Sequence, residues 1–132
     1  MEGVLGRYSP YLYALMRIAF GLMFMQHGAQ KLFGLLTTNP TPPLVSLFGL
    51  AGVIEFFGGL LIVIGLFTSL VAFIASGEMA VAYFMNHAPK ASFPIVNGGE
   101  LAVLYCFAFL YFASRGSGPL SVDAMLGRTK RT

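Results

Sequence analysis

A chain of 132 residues that is 57% hydrophobic and only 10% charged, with a mean hydropathy of +0.78, is too apolar for a water-soluble domain of ordinary composition. Its formal net charge of +3 reflects a few cations near the termini, with no basic stripe or stacking motif, so nucleic acid is not an expected partner. A lone cysteine, Cys106, excludes an intramolecular disulfide, a C-x-x-C pair and a thiolate metal centre.

The apolar residues come in four long blocks, and length decides what each can be: about 20 helical residues cross the roughly 30 Å of a bilayer's hydrocarbon. The first block predicts a helix over about 11–36. It is too long for a secretory signal, carries Arg17 and lacks a small-residue cleavage site, so it is expected to stay in the mature protein. The proline-rich run 37–43 predicts a loop, and a second helix follows over about 44–67. A tight connection at 65–69 leads to a third helix over about 68–86. Asn86, His87, Pro89, Lys90 and Pro94 mark another loop before a fourth helix over about 97–114. The third and fourth reach spanning length only with their flanks. With no internal repeat, the expectation is one all-α domain over 1–132, an integral membrane four-helix bundle.

Four spans put both termini on one side, which then holds Arg7, Arg115, Arg128, Lys130 and Arg131, against Lys90 and Lys31 opposite. Cytoplasmic termini in a multi-pass membrane protein are therefore expected, with the bilayer as the first partner.

Ionisable residues at membrane depth carry the functional signal. Arg17, Glu55, Glu78 and Glu100 lie within or beside the blocks, and each such group costs at least about 2.5 kcal/mol at a helix centre unless it finds a partner. At about 100° per residue, Arg17, Gly21, Phe24, Gly28 and Lys31 share one helix face. Gly52, Gly58 and Gly59 flank Glu55 and let a neighbouring backbone approach. Counting the rise from the presumed helix starts puts Arg17 about 10 Å deep and both Glu55 and Glu78 at about 14 to 15 Å. Arg17 is thus expected to pair with Glu55, Glu78 or both, leaving one carboxyl to hold a proton. The same counting places His27, Lys31 and Glu100 in an outer polar layer. For Glu100 a plainer role competes, with Asn97 capping the fourth helix and Glu100 facing its dipole.

The remaining reactive residue types carry little. Cys106 reads as a small apolar filler, and the seven methionines as packing, since Met23 and Met25 point to different sides of a helix. His27 and His87 without a further pattern do not make a haem or copper site, so no metal is expected.

Taken in order, Arg17-x3-Gly21-x6-Gly28-x2-Lys31, Gly49-x2-Gly52-x2-Glu55-x2-Gly58-Gly59-x5-Gly65, Glu78-Met79, Asn97-Gly98-Gly99-Glu100 with Tyr105, and the tail Gly116-Ser117-Gly118-Pro119-Leu120-Ser121-Val122-Asp123 resemble the DoxX family of bacterial membrane proteins over nearly the whole chain. The resemblance implies four transmembrane helices and a link to quinone-linked oxidases, sulfur oxidoreductases and redox-stress complexes. It implies no agreed set of catalytic residues, and these stay unknown. Two function classes follow. In one, the chain is an accessory, redox-associated subunit of a membrane oxidoreductase, using its buried Arg and Glu residues toward a quinone and its protons, with a redox partner protein supplying electrons. In the other it is a non-enzymatic scaffold subunit, open to homo-oligomerisation, or a small-solute transporter.

Overall fold

The computed structural model describes residues 1–128; Lys130 and Arg131, two of the cations expected on the cytoplasmic side, lie outside that range. Every regular element among the described residues is helical. A short α1 (Glu2–Leu5) and one 3-10 turn precede α2 (Ser9–Phe33), which starts with Pro10 in its first turn, where a missing N–H costs nothing. Gly34 ends α2 in the left-handed conformation at φ 66°, three residues earlier than hydrophobicity alone suggests. The next helix, α3 (Leu47–Ile64), likewise starts later than the apolar run, because the Ser46 hydroxyl caps it by accepting from the Gly49 N–H at 3.1 Å. Gly65, at φ 72°, closes α3, and its N–H and that of Leu66 return to the carbonyls of Ile62 and Leu61.

The third long helix is α4 (Thr68–Asn86), followed by a single turn, α5 (Pro94–Asn97), and then α6 (Glu100–Arg115) and a last short turn, α7 (Val122–Met125). Gly98 and Gly99 separate α5 from α6, so Asn97 does not cap the fourth long helix as expected. It sits buried one turn earlier, its Oδ1 accepting from the Gly99 N–H at 2.8 Å, and Glu100 becomes the first residue of α6.

The four long helices run up and down. α2 lies closest to α3, and α4 pairs with α6 and borders α3. The α2–α3 approach needs glycine: a Cβ on Gly28 would lie 2.2 Å from the Phe56 backbone nitrogen, and one on Gly59 would lie 2.8 Å from the Gly21 carbonyl. Between α2 and α6 the spacing is aromatic instead, with Phe24 and Phe109 ring centres 4.6 Å apart and Tyr13 edge-on to Phe112 at 5.6 Å. This aromatic layer is the core; Phe24, Phe109 and Phe112 are fully buried.

The outward faces are apolar as well. Phe57, Phe73, Leu104 and Phe107 are all exposed, a surface that water would not tolerate but lipid does. α3 and α4 are each long and apolar enough to cross a membrane, while α6, with 16 residues, covers only about 24 Å.

One end of the bundle is locked by the tail. Arg17, fully buried, donates from Nη1 to the carbonyls of Ile62 and Val63 at 2.9 and 3.0 Å, and from Nη2 to that of Leu120 at 2.6 Å. Asp123 in the tail accepts from the Phe67 N–H at 2.9 Å and from the Ser117 hydroxyl at 2.7 Å, and Ser117 also lies 2.6 Å from the Thr68 hydroxyl. Tyr13 adds a bond to the Gly116 carbonyl at 2.6 Å.

The expected pairing of Arg17 with Glu55 or Glu78 is therefore incorrect. The guanidinium serves the carbonyls at the end of α3, roughly two turns or about 10 Å beyond Glu55. The Ile62 carbonyl accepts from Gly65 and keeps a second lone pair, and the last carbonyls carry the partial negative charge of the helix, so a planar donor with five N–H groups is well matched to them.

Candidate functional site

The other end of the bundle holds the charges that matter. Lys31, near the end of α2, donates from Nζ to Glu55 Oε2 on α3 at 2.6 Å. The carboxylate is 1% exposed and the lysine side chain 30%, so the pair is buried on its acidic side and open on its basic side. Helical side chains lean toward their own N-terminus, and in antiparallel helices that sends Lys31 inward and Glu55 outward until they meet. Glu78 on α4 stands beside Glu55. Oε1 of Glu78 is buried with no partner.

A cavity of about 730 Å³ opens above this cluster between α2, α4 and α6. Glu55 and Lys31 stand in its wall, with Phe24 and Tyr105 as aromatic faces and His27, His87 and Lys90 among its polar lining. His27 meets Tyr105 edge-on, ring centres 6.0 Å apart. The His87 side of the wall is tied down: its Nδ1 is 3.2 Å from the Asn97 carbonyl, and Asn97 Nδ2 donates to the Tyr83 hydroxyl at 3.1 Å and to the Ala91 carbonyl at 3.1 Å. A second cavity of about 300 Å³ lies between α3 and α4, contains Glu78 and shares Lys31, Phe48, Ala82, Met85 and Asn86 with the first.

The sequence candidates thus divide into separate places. Lys31, Glu55 and Glu78 come together, and His27 joins Lys31 in the cavity wall. Arg17 belongs to the tail clasp. Glu100 does not join the outer polar layer: it is exposed in the first turn of α6 and lines neither cavity, which leaves it as a partner of that helix's dipole. Three lining residues carried no weight in the sequence: Phe24 as a wall, His87, and Lys90 at the mouth. The one available signal was the spacing of Phe24, His27 and Lys31 on successive turns of one helix.

The family model for DoxX matches residues 12–88, which takes in most of α2, all of α3 and α4, and all three residues of the charge cluster. Over 125 residues the chain is 45% identical to an uncharacterized protein of Haemophilus influenzae, covering 90% of this chain and 93% of that one. The chain belongs to the DoxX family. DoxX proteins are membrane proteins, and this one is an all-α, integral membrane four-helix bundle. No solved structure matches it. The DoxX match ends at residue 88, so the Asn97 framework and the tail clasp stand outside the matched segment.

Proposed function

We propose that this DoxX protein is a redox-associated membrane subunit that binds a quinone-type headgroup in the larger cavity, against the Lys31–Glu55 pair. The observation that carries the reading is the placement of that pair in the wall of a cavity of about 730 Å³ whose other faces are Phe24 and Tyr105. A flat ring with oxygens at two edges suits this lining: aromatic faces stack on it, the lysine ammonium and the histidine rings offer hydrogen bonds, and the linked carboxyls hold a proton within reach. A bound quinone supplies two-electron, two-proton chemistry, and the residues here bind the ring, orient it and hold the proton at Glu55 and Glu78. Electrons reach the site through a partner protein.

In this reading the chain is one domain of the bacterial inner membrane with both termini cytoplasmic, so His87 and Lys90 mark a periplasmic mouth. Solvent extraction of the purified protein, with equilibrium binding of a soluble chainless benzoquinone, tests it. The wild type is expected to bind the ring, and the double variant Lys31→Met, Glu55→Leu, which removes both charges without leaving either unpaired, is expected to lose it. Absence of ring binding to the wild type would return the protein to the scaffold or solute-transport class.

A further inference from the structure

The smaller cavity has a different character from the larger one. It is a groove between α3 and α4 on the lipid-facing side, walled by Leu50, Ile54, Ile74 and Val81, and its one acidic group is Glu78. Gly77 lies in the groove wall, and a Cβ there would meet nothing within 4 Å. The same groove contains Glu78, whose Oε1 is buried without a partner. Such an oxygen is costly to leave unpaired in an apolar setting.

The depth of Glu78 restricts what can satisfy it. The residue lies about 15 Å from the Thr68 end of α4 and about 12 Å from the Asn86 end, in the middle of the span. A phospholipid headgroup stays at the interface, short of this depth. What fits is a small neutral head that donates a hydrogen bond and carries an apolar chain. With no donor supplied by the chain, Oε1 stands as an open acceptor, and the head that satisfies it donates. An oxidised quinone ring has only acceptor oxygens, whereas the reduced ring has hydroxyls.

We propose that the groove between α3 and α4 is a binding site for the apolar chain of a quinol, with a ring hydroxyl donating to Glu78 Oε1. The inference rests on the headgroup reading above and adds to it the lateral route, the preferred redox form and the residues that recognise it. Continuity supports it, because Lys31, Phe48, Ala82 and Met85 line both cavities, and a ring held at Lys31 and Glu55 has its chain exit beside them.

Gly77→Leu is the decisive variant. It introduces a side chain into open space, at a helical position where leucine is the better helix former, so the fold is retained. The full chain in nanodiscs is titrated with a chainless benzoquinol, and separately labelled with a benzoquinol whose decyl chain carries a photoactivatable group, with the labelled residues mapped by mass spectrometry. The wild type is expected to be labelled at Ile54, Ile74 and Val81, and Gly77→Leu to lower that labelling by about tenfold and to weaken the decyl quinol more than the chainless one. Glu78→Gln is expected to weaken the quinol more than the oxidised ring. Labelling that Gly77→Leu does not change, or that falls on other helices, overturns the groove while leaving the headgroup reading in place. If the chainless ring binds nowhere, the headgroup reading fails and the groove falls with it.

Discussion

Lys31 and Glu55 meet at 2.6 Å across the tightest helix pair of the bundle, with the carboxylate 1% exposed. The contact depends on a glycine about one turn away in each helix, because Gly28 and Gly59 bring the α2 and α3 backbones together. A charge pair this near the bilayer interior is at once a fastening between helices and the polar wall of the cavity. Its two roles are separable by substitution.

Removing only the lysine strands a buried carboxylate. Lys31→Met is expected to destabilise the bundle by about 3 kcal/mol, at the low end for breaking a buried pair since the lysine is partly exposed. The double variant with Glu55→Leu is expected to regain most of that loss. Thermal unfolding in one detergent compares them, and a double variant no more stable than Lys31→Met would contradict the pairing.

Arg17 presents the opposite case, a cation that serves carbonyls rather than acids. Arg17→Lys keeps the charge but cannot reach Ile62, Val63 and Leu120 together, and is expected to cost about 2 kcal/mol, comparable with one or two lost charge-assisted hydrogen bonds. The tail is the part released, so limited proteolysis should cut near Leu120 faster in the variant. Ring binding at the distant cavity should not change.

Close packing sets a third expectation. Gly28→Ala drives a methyl group into the backbone of Phe56 and is expected to cost about 1 to 3 kcal/mol or more as α2 and α3 part. Gly77→Ala, into open space, is expected to be neutral or stabilising. Equal melting temperatures for the two alanine variants would refute the close approach of α2 and α3.

The membrane orientation is tested with fusions. A reporter active only in the cytoplasm should work at the C-terminus, and one active only outside should work when inserted in the loop at 37–43. The reverse pattern would place the His87 mouth on the cytoplasmic side.

The fold class was legible in the sequence because lipid imposes a simple rule: long uncharged runs must be helices that bond their own backbone. Stop and start residues refined the ends where hydrophobicity did not, as Gly34 and Ser46 show by lengthening the loop between α2 and α3. The set of buried ionisable groups was legible too, since a charge in an apolar run stands out from its neighbours. Their partners were not. Counting residues fixes the level of a Cα, but a side chain leans toward its own helix's N-terminus, and in antiparallel helices that lean reverses. Arg17 reaches the end of α3 beside Gly65, while Lys31, level with Gly52, and Glu55 lean together from levels about 4.5 Å apart. The carbonyls that hold Arg17 are common to every residue and leave no mark in a sequence. Only the packing of α2 on α3, and of the tail beneath them, determined which partner each charge found.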